Sequence, residues 1–124
     1  MIVVKTILKE VPGKGIGLFA DQDIAAGQAV WQYEPVIDIL VKKADVPAGA
    51  KEFFRVYGVD TGEDFMMLNT DNARFINHSD RPNLRSLGPF EANIASRDIR
   101  AGEELTIDYT EIDAVGVDFE SLPD

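Results

Sequence analysis

Nowhere does an apolar pattern hold a helical period for three turns in this chain. Short runs rich in β-branched residues are instead cut at close intervals by Gly, Pro, Asn and Asp. A sequence written this way folds as small sheets joined by tight turns. Residues 2–8 alternate and read as a first strand; Pro12-Gly13-Lys14-Gly15 is a turn, and residues 16–20 a second strand. Residues 30–33 and 36–41 read as strands separated by Pro35, which has no N–H for a ladder. Residues 42–51, with Pro47 and Gly49, read as a surface excursion. Residues 54–59 and 64–68 flank Asp60-Thr61-Gly62-Glu63 as a hairpin. Asn69-Thr70-Asp71-Asn72 caps a short helical turn over 73–76, and residues 92–96 and 104–110 are the closing strands. With 124 residues, 45% of them hydrophobic, the chain can bury one core without staples. The expectation is a mainly β, single-domain protein.

An internal echo adds a geometric expectation. Ala20 to Val30 and Ala95 to Leu105 share the pattern A-x-x-D-I-x-A-G-x-x-[VL]. Each copy would leave a strand, bury an Ile, turn through a Gly able to take φ > 0, and enter another strand. Two copies are too few for a solenoid and predict two equivalent corners in one β structure, a structural role.

The absence of Cys removes disulfides, iron–sulfur clusters, thiolate zinc sites and cysteine nucleophiles together. No apolar run approaches the ~20 residues needed to cross a bilayer, and the N-terminal stretch is too short and too charged for a signal-peptide core. A soluble, intracellular, cytoplasmic protein without a membrane partner is expected. The formal net charge of −10 is unevenly spread: Lys5, Lys9 and Lys14 make the start basic, whereas residues 111–124 hold five acids and no Lys or Arg. Such a surface repels phosphate backbones and attracts basic polypeptides, so nucleic acid is not the expected direct partner.

Three elements could carry chemistry. Gly15-Ile16-Gly17, with Ala20, meets a dinucleotide-binding spacing, but Gly27 and the β-like residues that follow leave no room for the helix that fingerprint requires. It reads better as a tight segment whose bare amides a ligand can approach. Arg74-Phe75-Ile76-Asn77-His78-Ser79-Asp80-Arg81-Pro82-Asn83 is the densest polar cluster and contains the only His. Adjacent His78 and Ser79 do not make a base–nucleophile pair, and one imidazole with Asp80 falls short of a metal's ligand set. By itself the cluster reads equally well as a loop tied down by side-chain-to-backbone bonds. Asp108-Tyr109 ends the last strand, where a Tyr is commonly half-buried with its hydroxyl on a partner.

In order, Lys-Gly-Ile-Gly-Leu-Phe-Ala at 14–20, Arg-Phe-Ile-Asn-His-Ser-x-x-Pro-Asn at 74–83 and Glu-Glu-Leu-Thr-Ile-Asp-Tyr at 103–109 resemble the SET-domain protein lysine methyltransferases, over residues 13–110. The resemblance implies a β-clip fold of small curved sheets with short helical turns and a C-terminal pseudoknot, residues 74–79 being threaded beneath a loop. It implies a domain over residues 1–110 and an acidic tail over 111–124. It also implies S-adenosylmethionine as methyl donor, with no metal. Gly15, Ile16 and Gly17 would hold the donor's amino-acid end, and Asn77 and His78 would bind it with Arg74 nearby. Tyr109 looks like the family's catalytic tyrosine, and Tyr33 like the tyrosine that lines the lysine channel. The substrate would be a basic, lysine-containing protein.

The chain departs from that family in several places. The cysteine-rich flanks that close the lysine channel through zinc are absent, so residues 111–124, with Phe119, or a second copy of the chain in a homodimer would supply that wall. Ile107 stands where many relatives carry the Phe or Tyr that sets methyl number. Ser86 stands where some place another channel tyrosine, and Asp80 replaces a common Cys. A catalytically silent module that binds basic peptides on the same fold is the alternative reading, as is a small β domain with no donor.

Overall fold

The computed structural model describes residues 1–112. In chain order its strands are β1 (Thr6–Val11), β2 (Gly15–Ala20), β3 (Ala29–Gln32) and β4 (Asp38–Lys42), followed by the helix α1 (Lys51–Tyr57). Then come β5 (Val59–Gly62), β6 (Phe65–Asn69), β7 (Asn77–His78), β8 (Leu84–Ser86), β9 (Ala92–Ala95) and β10 (Thr106–Ile107). They form two two-stranded and two three-stranded sheets: β1-β2, β10-β7, β3-β9-β8 and β4-β6-β5. The expected mainly β class with short helical turns is what forms.

The main core joins Leu18, Ile24, Val30, Leu84, Ile99, Leu105 and Ile107, all essentially inaccessible to water. Truncating a Leu in such a site costs about 2–5 kcal/mol. A smaller cluster of Val46 and Met66, packed with Val41 and Phe54, sits under the 3₁₀ turns that follow β4.

The two echoed segments meet each other. Ile24 and Ile99 form an antiparallel bridge, with N–H···O distances of 2.7 and 2.8 Å. Asp23 Oδ1 accepts from the Ala101 N–H at 3.0 Å, and Asp98 Oδ1 accepts from the Ala26 N–H at 2.9 Å. Gly27 donates to the Ala95 carbonyl and Gly102 to the Ala20 carbonyl, each at 2.7 Å. Both glycines take positive φ, 83° and 95°, which a side chain would strain. Gln28 and Glu103 complete the match by accepting from the N–H groups of Ala25 and Arg100. The expected equivalent corners are therefore one local two-fold unit, each corner capping the other.

Three local expectations need correcting. The first strand is Thr6–Val11 rather than 2–8, because Ile2 and Val3 instead run beside β3: Ile2 bridges Trp31, and Val3 N donates to Val30 O. Residues 54–57 are helical. Phe53 and Tyr57, four apart, stack at 5.0 Å, while Phe54 enters the smaller core. Two turns are too few to display a period, so β-prone rings misled the reading. Residues 42–51 are not wholly on the surface, since Lys43 is buried with its ammonium on both Asp60 carboxylate oxygens and the Glu63 carbonyl.

Candidate active site

Two elements of two residues each bring the motifs together. β7 and β10 pair in parallel, Thr106 with Asn77 and Ile107 with His78. On its other side the approach to β10 binds β2, through Leu105 N to Leu18 O at 2.8 Å and a bridge between Phe19 and Glu104. Buried Asn83 locks this crossing from a third direction. Its amide nitrogen donates to Glu104 O at 2.8 Å, and its amide oxygen accepts from Thr106 N at 2.9 Å. Residues 104–107 thus lie between β2 and β7.

Asn77 faces β2. Its Nδ2 donates to the Ile16 carbonyl at 3.2 Å and to Glu104 Oε2 at 2.8 Å. Both partners accept only, so the two amide hydrogens are committed and Oδ1 remains as an acceptor. Gly17 makes room for this pair. A Cβ there would lie 2.6 Å from Glu104 Oε2, 2.8 Å from Val11 Cγ2 and 3.1 Å from Asn77 Nδ2. A Cβ on Gly15, by contrast, would meet open space.

His78 fixes its own tautomer. Nδ1 accepts from the Tyr109 main-chain N–H at 3.0 Å, so the ring proton sits on Nε2, which donates to Asp80 Oδ1 at 3.0 Å. Its carbonyl accepts from Lys14 Nζ at 3.3 Å. The imidazole therefore holds the backbone of Tyr109, and the two rings lie 5.4 Å apart. The Tyr109 hydroxyl donates to the Ile76 carbonyl at 2.6 Å. Burial, with help from the Glu104 carboxylate and Tyr57, raises its pKa above the ordinary 10, so Tyr109 is a neutral phenol at physiological pH. Just beyond it, Thr110 bonds the Asp108 carboxylate through both its hydroxyl and its N–H, which holds that carboxyl below its usual range and turns the chain away.

Gly15, Ile16, Gly17, Asn77, His78 and Tyr109 are thus gathered in one place. Arg74 is not joined to them. Its guanidinium donates to the carbonyls of Thr70 and Asp71 and lies over the Phe75 ring, closing the turn ahead of β7. Tyr33 leaves β3 with its N–H on Glu91 O and its ring edge-on to Phe90 at 5.2 Å. The β8–β9 loop that carries Phe90 supplies Gly88 and Pro89 to a cavity of about 180 Å³. That cavity is also walled by Trp31, Met67, Asn69, Ala73, Ser86, Glu111 and Ile112. Residues 113–124, including Phe119, lie outside the described residues.

Sequence reasoning missed Glu104 and Tyr57. Glu104 was visible as one of two adjacent acids in the last motif, with nothing to say which faced Asn77. Tyr57 sits in the misread helix, edge-on to Phe75 at 5.9 Å.

A fold of small sheets, with a two-residue parallel crossing that seats a Tyr beside an Asn-His pair, defines a SET domain. The SET-domain family model matches residues 15–110, and the chain belongs to that family, as the resemblance implied. The Candida albicans (strain SC5314 / ATCC MYA-2876) histone-lysine N-methyltransferase, H3 lysine-36 specific, is 33% identical over 129 residues, covering 86% of this chain and 14% of that protein. The chain is thus similar to a small part of that relative. Among solved structures, an active polycomb repressive complex 2 in the basal state matches with TM-score 0.66 and 26% identity, over 86% of this chain and 15% of that one. KRYPTONITE in complex with mCHH DNA, H3(1–15) peptide and SAH matches with TM-score 0.64 and 25% identity, over 87% of this chain and 24% of that one.

Proposed function

We propose that this chain transfers a methyl group from S-adenosylmethionine to the side-chain amine of a lysine in a basic protein substrate. The observation that carries the reading is the Tyr109 hydroxyl on the Ile76 carbonyl, one residue from Asn77, whose amide nitrogen is held by the Ile16 carbonyl and the Glu104 carboxylate. Family membership supports it, as do the curated relative's name and the structure of KRYPTONITE with SAH and an H3 peptide. The acidic composition suits a histone-type, lysine-rich tail.

The residues fit the donor's chemistry. Asn77 Oδ1 and the Glu104 carboxylate are acceptors for its ammonium, and Lys14 is a cation within reach of the same segment for its carboxylate. The main chain of Gly15, Ile16 and Gly17 would flank it, with Asn77 and His78 opposite. Bound S-adenosylmethionine supplies an electrophilic methyl group on a positively charged sulfur.

This chain's part is placement. With its hydrogen committed to Ile76, Tyr109 Oη turns its lone pairs outward, where they accept an amine N–H and orient the nitrogen. The raised phenol pKa means Tyr109 holds its proton and is no general base. A lysine amine is neutral only about once in 2,500 molecules at pH 7, and desolvation on an apolar wall increases that fraction. Most of the rate then comes from holding two reactants in line.

The test is radiolabelled methyl transfer to a lysate of the host's proteins. Labelling that is lost with Tyr109→Phe, while donor binding persists by calorimetry, supports the reading. Donor binding without labelling by the unaltered chain leaves the silent peptide-binding module.

A further inference from the structure

Tyr109 is held by two bonds of different chemistry, and one of them depends on a proton. The hydroxyl bond to the Ile76 carbonyl needs only a neutral phenol. The main-chain bond lasts only while His78 Nδ1 has a lone pair to accept the Tyr109 N–H. The His78 ring is 41% exposed, so solvent protons reach it, and imidazole is the side chain that changes charge in mild acid. A proton on Nδ1 sets two N–H groups against each other across 3.0 Å, and that contact must open.

The charged ring would not lack partners. Nε2–H stays on Asp80 Oδ1 at 3.0 Å, and Asp108 Oδ1 lies 3.8 Å from Nδ1, a small rotation from a charge-assisted bond. The Asp108 carboxyl, held below its usual range chiefly by the Thr110 hydroxyl and N–H, is still ionised where an imidazole protonates. Lys14 opposes the positive ring from the β1–β2 turn, with its ammonium on the His78 carbonyl. Glu104, on the approach to β10, is engaged by Asn77. We propose that His78 is a positioning residue with two settings: neutral, it fixes the main chain of Tyr109; protonated, it releases Tyr109 and turns to Asp108, so that methyl transfer is switched off in mild acid. As regulation of the site this rests on the methyltransferase reading. The hand-over from Tyr109 to Asp108 does not, since it involves only this chain's own atoms.

His78 is the only histidine, so its ring nitrogens are read without ambiguity. The experiment is nitrogen–proton NMR of the full chain from about pH 8 to about pH 5.5, beside methyl transfer to a lysine peptide. At the upper end the ring should carry its proton on Nε2 alone. As the ring titrates, the Tyr109 amide proton should move with the same midpoint, while the Ile24 and Ile99 amides of the paired corners hold their positions. Asp108→Asn weakens the alternative partner and should shift that midpoint toward acid by a few tenths of a pH unit. The reacting lysine also titrates, so rates are read as the kcat ratio of the parent to His78→Asn, whose carboxamide oxygen replaces Nδ1 and takes up no proton. That ratio should fall about fivefold across the range. A Tyr109 amide that ignores the titration, a neutral ring protonated on Nδ1, or all amides moving together overturns the hand-over even if the chain methylates protein. A constant kcat ratio overturns the switch. Coupled titration in a chain that labels no protein upholds the hand-over and removes the enzymatic reading instead.

Discussion

The Tyr109 hydroxyl and the Ile76 carbonyl oxygen lie 2.6 Å apart, tying the exit of the last strand to the residue before β7. Tyr109→Phe removes the hydroxyl and keeps the ring on His78. Methyl transfer should fall about a hundredfold, the scale on which lost alignment acts. Donor affinity by calorimetry should stay within twofold, and stability should drop by about 1 kcal/mol in urea melts.

Gly17 serves the Asn77–Glu104 pair and not chain flexibility. Gly17→Ala sets a methyl group 2.6 Å from Glu104 Oε2, so that carboxylate must move and release Asn77. Affinity for S-adenosylmethionine should weaken about tenfold, one charge-assisted hydrogen bond's worth. Glu104→Gln keeps the volume but removes the charge and should weaken it at least as much; equal affinity of Gly17→Ala and the parent would remove Gly17 from the site.

The paired corners predict matched energetics. Asp23→Ala and Asp98→Ala each free one N–H, on Ala101 and Ala26 respectively, and each should cost about 1 kcal/mol in urea unfolding. A large inequality between the two would show that the local two-fold is geometric only.

At one matched position the corners differ in charge. The Arg100 N–H, with Arg97 close by, lowers the pKa of Glu103, whereas Gln28 holds the equivalent place without a charge. A carboxyl whose pKa is lowered by folding stabilises the fold above its unfolded value of 4.5, and that contribution fades as pH falls through the lowered folded value. The Glu103 side chain is 37% exposed, so the effect is small and should shrink in salt. Glu103→Gln should flatten the acid side of the stability–pH curve relative to the parent, with no change at neutral pH.

Turn residues and the repeated corner could be read directly, because Gly and Asp at those positions answer to local backbone demands. The partner of each corner could not: the bridge from Ile24 to Ile99 joins residues far apart in sequence, and no local propensity encodes it. Asn77, His78 and Tyr109 were recognisable through motif spacing, whereas the place of Glu104 depends on which amide faces it. Arg74 illustrates the converse, a motif residue whose guanidinium closes its own turn. Buried Lys43 was invisible because Asp60 and the Glu63 carbonyl, which make its burial tolerable, lie 17 and 20 residues away in sequence.

The parallel crossing of β7 and β10 also orders events on the ribosome. Tyr109 is translated 31 residues after His78, whose ring nitrogen receives its N–H. At about 5–20 residues per second, a nascent chain holds β7 for seconds with neither the tyrosine nor Glu104 beside Asn77. The seam that the proposed reading requires is therefore completed as a single late event in biogenesis, and on that reading a growing polypeptide has no activity before it.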